Sequence, residues 1–435
     1  MITWTKRLFK TVATTFLAGC LLVGCGKSTG DNTVVSIGNR ISEPELIPAV
    51  TANWTNQYNL SSTGDINIPV FVVDFPDCTY ADTVISGKEL YQSIFGENDS
   101  KSVTSFYKTS SYGNLNITGD VYTYTASKNI AEYEAMEDEG YEALIMEMFE
   151  ALDDDIEFSD YDSNEDSVLD TFIVCIPTGG DVDYWYGSQH VWYTNDDFSV
   201  DGIYPDYYVL CDSQADSSDI AYFQKTLWHE LGHCMGLPDY YLYGVTDDYD
   251  GMHGIAGYEV MDDMEADFCQ FSKIQLGWLN DQQVQVYDYD DEEESYFIPA
   301  ASQGGCLVIF KEGTTDTDNF QSEYFVVEYD TPTGNFEGYF SDDDAGVRII
   351  HADAETTYDG YYYDYKYNGY SEYYGDGEVR VIRRVNDSGD FFKVGDTISY
   401  GEKDFKWYND EGDYKISITM DDYDENGAWI RISSN

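Results

Sequence analysis

His229 and His233 stand four residues apart, with Glu230 beside the first. On a helix, positions i and i+4 share one face, so both imidazoles can meet one metal ion. Glu230 then projects near that ion without being required to bind it. This is the arrangement of zinc-assisted hydrolysis, in which zinc acidifies a water and a carboxylate takes its proton during attack on a carbonyl. The run continues as Gly236-Leu-Pro-Asp239. A glycine just past a helix end turns the chain in a left-handed conformation. The chain can then swing back and offer Asp239, whose carboxylate oxygen is a competent third zinc ligand. Asp247, Asp248 and Glu259, in the acidic stretch that follows, are the other candidates for that place.

An H-E-x-x-H sequence also occurs by chance on ordinary helices. Here the chain has only 5 histidines, and two fall in the motif. Phe223, Leu227 and Leu231 recur every fourth residue, so the motif sits on a helix with an apolar stripe to bury. A rigid, buried helix is what a precise metal site requires.

A second cluster lies at Asp162, Asn164, Asp166 and Asp170, with oxygen ligands at alternate positions. The spacing matches short calcium loops, although Ser167 stands where a glycine usually makes the turn. The competing reading is a solvated acidic turn. Residues 357–378 hold nine tyrosines among glycines and aspartates. They read as a surface insertion, with a recognition loop as the alternative.

Lys6, Arg7 and Lys10 precede an apolar stretch from Thr11 to Val23 that is too short to span a bilayer. It ends in Leu22-Val-Gly-Cys25, which resembles the lipobox of bacterial lipoproteins; Leu17-Ala-Gly-Cys20 is the weaker candidate. Lipid on Cys25 would anchor the chain outside the membrane. The net charge of −61 argues against nucleic acid, whose phosphates it would repel. Hydrophobic content of 42% marks a folded chain rather than an acidic disordered one. Cys78, Cys175, Cys211, Cys234, Cys269 and Cys306 are scattered, form no C-x-x-C pair, and read most simply as buried free thiols.

The elements that must position these residues follow from periodicity. Asn67–Phe75 and Asp170–Pro177 are apolar runs that read as buried strands. Leu115–Tyr124 alternates as a half-buried strand. A short helix opens near Ser102, and Tyr141 to Leu152 has helical spacing. Tyr207–Cys211 is strand-like and leads to the metal helix. After Trp278 come strand-like runs at Tyr296, Cys306, Tyr324, Gly346, Val379, Tyr414 and Ala428, separated by Gly-, Asp- and Asn-rich turns. The predicted fold class is α+β: a mixed sheet with an active-site helix, then an antiparallel β-sandwich. The expected boundaries are a leader at 1–25, a polar tether at 26–60, a catalytic domain at 61–280 and a sandwich at 281–435.

With these residues in view, the chain resembles the immune inhibitor A type of secreted zinc metallopeptidase. The H-E-x-x-H-x-x-G-x-x-D run follows the metzincin spacing, in which a histidine usually takes the last place. Glu259-Val-Met261-Asp262 looks like the family's Met-turn, followed by Phe271 to Trp278. Ser105 to Leu115, Gln189-His-Val-Trp192, Glu323 to Glu328 and Gly346 to His351 look like further landmarks. The resemblance implies a metzincin-like catalytic domain in which His229 and His233 bind Zn2+. It implies Glu230 as general base and Met261 as a floor beneath the metal. It implies an endopeptidase with protein or peptide substrates. From the residues themselves come Ca2+ at Asp162–Asp170 as a second cofactor, no nucleic-acid partner, and export with the chain either lipid-anchored or secreted; a monomer is expected. Two competing functions are an adhesin built on an inactive peptidase fold and a zinc amidase acting on cell wall.

Overall fold

The structure is a computed structural model. It describes residues 44–51, 60–79, 87–136, 139–177, 189–192, 195, 197–213, 220–242, 254–255, 258–263, 265–287, 289, 293–358, 363–367, 381–386, 391–408 and 414–434. Cys20, Cys25, Asp247, Asp248 and most of the tyrosine-rich segment lie outside them.

β1 (Gly64–Asp74) is an inner strand of the first sheet, and both of its faces are apolar. Ile66, Ile68, Val70 and Val72 enter one core, while Phe71 and Val73 enter another on the opposite face. Such two-sided burial is what a parallel strand covered by helices needs. β1 pairs in parallel with β2 (Leu115–Thr125) and β3 (Ile173–Pro177). β3 pairs in parallel with β5 (Tyr207–Ser213). β4 (Gln189–Trp192) closes the edge antiparallel to β5, giving the order β2-β1-β3-β5-β4.

Parallel neighbours need crossovers, and helices supply them. α1 (Gly87–Phe95) and α2 (Val103–Ser110) lie between β1 and β2. Ser102 caps α2 by accepting from the Ser105 amide at 3.1 Å. α3 (Ile130–Glu134) and α4 (Glu139–Leu152) lie between β2 and β3, and α4 sets Leu144, Ile145, Met148 and Phe149 into the second core. α5 (Ile220–Cys234) follows β5 and sets Phe223, Leu227 and Leu231 into the first. Two short helices come next, α6 (Val260–Asp263) and α7 (Gln270–Gln275).

The later strands form two facing sheets. One contains β6 (Val284–Val286), β8 (Cys306–Phe310), β9 (Glu323–Asp330), β10 (Gly346–Asp353) and β13 (Ile382–Arg384), in the order β13-β10-β9-β8-β6. The other contains β7 (Glu293–Pro299), β14 (Thr397–Ser399), β15 (Ile416–Asp424) and β16 (Gly427–Ser434), in the order β14-β15-β16-β7. Ile298, Leu307, Phe325, Val347, Ile418 and Ile430 meet between them. The pairs are antiparallel except β6 with β8, which is parallel. β11 (Thr356–Tyr358) and β12 (Tyr363–Tyr365) form a separate hairpin.

Residues 44–435 form one compact unit. A single apolar cluster runs from Ile68 and Leu231 through Trp278 to Val326 and Ile350, across the expected boundary at 280. Part of the expected tether is packed as well: Ile47 donates its amide to Leu279 at 2.8 Å and Val50 to Gln275 at 2.8 Å. Five of the six described cysteines are buried, and all six are free thiols; Cys175 and Cys211 face each other across β3 and β5 with Sγ atoms 3.4 Å apart. Among the described residues no helix is long and apolar enough to cross a membrane.

Candidate metal centre

α5 presents His229 and His233 on one face and is itself buried against the first sheet. The helix stops at Cys234. Gly236 has φ 94°, its amide donates to the His233 carbonyl at 2.8 Å, and the Leu237 amide donates to Gly232 at 3.1 Å. This left-handed stop satisfies the last carbonyls and reverses the chain. Pro238 and Asp239 then run back beneath the helix, and the Tyr240 amide fixes them by donating to the Met261 carbonyl at 3.0 Å.

Three donor atoms converge as a result. His229 Nε2 lies 3.1 Å from His233 Nε2. Asp239 Oδ1 lies 2.9 Å from the first and 3.4 Å from the second. Ligands held about 2.0–2.1 Å from a tetrahedral zinc stand about 3.3 Å apart, so the triangle has the size of one zinc face. Among the described residues, this is the one group of His, Cys, Asp or Glu whose ligand atoms all lie within 4.8 Å of one another.

The tautomers suit a metal. His229 Nδ1 meets the Val260 carbonyl at 2.9 Å, and His233 Nδ1 meets the Leu237 carbonyl at 2.7 Å. A carbonyl can only accept, so both Nδ1 atoms carry a proton and both Nε2 atoms point into the triangle, where a metal would replace any proton they hold. Electrostatics agree. Burial alone would lower the His233 pKa, but the Asp239 carboxylate outweighs it and lifts it to about 9. Burial would likewise raise Asp239, yet His233 and His229 hold it far below the usual carboxylate range. The pocket therefore stabilises positive charge between these three side chains.

Glu230 is buried at 7% exposure. Burial raises the pKa of Tyr107 and Cys234, and the charge of Glu230 adds to both and also favours the protonated form of His233. Met261 is fully buried directly under the helix. A Cβ on Gly232 would come within 2.5 Å of the Met261 sulfur, so a larger residue there would push the Met261 side chain from its place under the helix.

Glu259 is not placed as a ligand. It accepts from the Met261 amide, from the Cys269 amide at 3.3 Å and from Ser272 Oγ at 2.9 Å. Its carboxyl thus ties the Met261 turn to α7 and is not among the ligand atoms that converge with the histidines. Val260, Leu237 and Tyr241 do touch the centre, the last with its ring 6.3 Å from His229 and 18° from parallel. No sequence signal marks Val260 and Leu237, since a backbone carbonyl leaves no trace in residue type.

The Asp162–Asp170 loop is a separate structure. Asp166 donates its amide to Asp162 Oδ1 and Asn164 Oδ1, both at 3.1 Å, and Ser167 donates to Asp162 Oδ2 at 2.8 Å. Asp170 accepts from the Ser163 amide at 3.2 Å, and burial pushes its pKa up to about 6. Ser167 has φ 74°, so serine here adopts the left-handed conformation that glycine takes more easily.

No known protein-family model matches this chain, and no curated protein matches it in sequence.

Proposed function

We propose that this chain is a zinc-dependent endopeptidase of the immune inhibitor A type, exported and held at the outer face of a bacterial membrane by lipid on Cys25. The observation that carries the reading is the triangle of His229, His233 and Asp239 with edges of 2.9–3.4 Å, beside the buried Glu230. Zinc, when bound, supplies a Lewis acid that lowers the pKa of water and polarises a carbonyl. Glu230 takes the proton of the attacking water and delivers it to the leaving amine. Val260 and Leu237 keep the imidazoles oriented throughout. Edge strand β4 supports a peptide substrate, because an extended chain can add to a sheet edge by main-chain hydrogen bonds. The Asp162–Asp170 loop is assigned to a structural Ca2+.

The test is hydrolysis of casein by wild type and Glu230→Gln, with and without a chelator. Glu230→Gln should keep zinc and lose about 10²–10⁴-fold in rate. Activity within a few-fold of wild type removes the assignment. Hydrolysis of purified peptidoglycan instead of casein favours the amidase reading. Binding without any hydrolysis favours the adhesin.

A further inference from the structure

The sheet β14-β15-β16-β7 buries one face in the sandwich and turns the other outward. Along β16, Ile430 and Ile432 point inward, so Trp429, Arg431 and Ser433 point outward. The register places Phe297 beside Trp429, Thr419 beside Arg431, and Ser417 beside Ser433.

Three features of this outer face belong together. Trp429 is 47% exposed, and its ring stands 5.1 Å from that of Phe297 at a 56° tilt. The Phe297 ring lies over Gly427, where a Cβ would come within 2.2 Å of the Ile298 carbonyl and 2.7 Å of the ring. Next to the rings, a register shift between Met420 and Asp422 turns Asp421 toward Arg431. Asp421 accepts from Arg431 Nε at 2.9 Å and from Nη2 at 3.0 Å. The guanidinium is thereby held in a fixed plane, while Nη1 has only long contacts, 3.4 Å to Ser433 Oγ and 3.5 Å to Glu293. Beyond it lies a depression of about 790 Å³, floored by Ser417 and Thr419 and lined by polar side chains throughout.

The charge of this patch is balanced. Lys415 and Arg431 face Glu293 and Asp421, on a chain of net charge −61. A basic partner would find stronger attraction elsewhere, and an anionic one would be repelled by the remainder. Two rings are too little apolar area for a stable protein interface. What fits is an uncharged ring with an apolar C–H face and hydroxyls at its rim. The aromatic pair offers stacking surface, and the fixed Arg–Asp fork with its neighbouring hydroxyls offers both donors and acceptors.

We propose that this outer face binds a neutral polysaccharide, with Trp429 and Phe297 stacking on a sugar ring and Arg431 bonding its hydroxyls. The proposal does not depend on the peptidase reading.

It is tested by affinity electrophoresis of the full chain in native gels containing hydroxyethyl cellulose, xyloglucan or glycogen, with polygalacturonate as anionic control. Retardation is expected in at least one neutral polymer. Trp429→Ala should weaken it about tenfold, the scale of one aromatic contact. Arg431→Met should weaken it too, and both variants should keep the wild-type melting temperature. The proposal is overturned by no retardation in any neutral polymer, by retardation in polygalacturonate alone, or by variants that bind like wild type. A wild-type dimer that Trp429→Ala dissociates would also overturn it, because the face would then serve self-association.

Discussion

Arg348, in the middle of β10, donates from Nη1 to the carbonyl of Tyr258 at 3.2 Å. Tyr258 is two residues before Val260, whose carbonyl orients His229. Tyr258 itself has φ 62°, a conformation that costs a tyrosine roughly 1–2 kcal/mol and must be held by its surroundings. The same guanidinium bonds Glu328 from Nε at 2.6 Å and lies 3.0 Å from Asp330, while Glu328 accepts from the Gln270 amide at 2.7 Å. A charged clamp on the sandwich side thus holds both ends of the turn that contains Met261. Arg348→Met would leave two buried carboxylates without their cation. We expect a loss of about 3–5 kcal/mol in urea unfolding, together with weaker zinc retention. A variant as stable as wild type would show that the clamp does not hold the turn.

His233→Ala should abolish zinc binding, because two protein ligands rarely retain the ion. Asp239→Asn should weaken it markedly, since the charge that opposes the two imidazoles is lost. Zinc content after dialysis against a weak chelator checks both. Stoichiometric zinc in His233→Ala would move the site off α5, and unchanged affinity in Asp239→Asn would direct attention to Asp247 and Asp248.

Calcium should raise the melting temperature, because a ligand bound only by the folded state stabilises it by mass action. Asp166→Ala should shrink that rise. Ser167→Gly should add roughly 1 kcal/mol even without calcium, since glycine adopts the left-handed conformation freely. An undiminished calcium effect in Asp166→Ala would place the ion elsewhere. A neutral or destabilising Ser167→Gly would mean that the serine hydroxyl contributes more than its backbone costs.

Glu259 gives a pH dependence of defined sign. Burial pushes its carboxyl up to about 7, against the pull of Ser272 and two backbone amides. The folded protein therefore keeps a proton that the unfolded chain releases near the ordinary glutamate pKa. The stability from this group is complete below that value and is lost as pH rises through 7. In the metal-free protein, unfolding free energy should fall between about pH 4.5 and 7 by up to ~1.4 kcal/mol per unit from this one site. Glu259→Gln should flatten the curve by that amount. Parallel curves for the two proteins would mean that the carboxyl is ionised at neutral pH.

Much of the positioning was legible because it follows from local period. The apolar run of β1, the alternation of β2 and the stripe of Phe223, Leu227 and Leu231 are each set by one element burying one face. The strands at Cys306, Tyr324, Gly346 and Ala428 were legible for the same reason. β4, β6 and β14 are three or four residues long, too short for any period to show. Glu259 was a candidate ligand on composition alone, and only its three donors reveal that it braces the turn instead. In the tyrosine-rich segment, Tyr365 and Tyr367 are buried, and Tyr365 donates to Gln275 at 2.9 Å. That partner of Tyr365 lies 90 residues away in sequence, beyond the reach of local pattern.

The apolar cluster that passes from Leu231 through Trp278 to Val326 sets a limit on how such a protein can change. A chain cut at residue 280 would bare Trp278, Leu279 and the underside of α7 to water, so neither half could be exchanged like a cartridge. Variation has to enter where the cluster does not reach, at the outward faces and in the long connections. The histidine-bearing helix and the later strands share one apolar core, so each needs the other to keep that core from water.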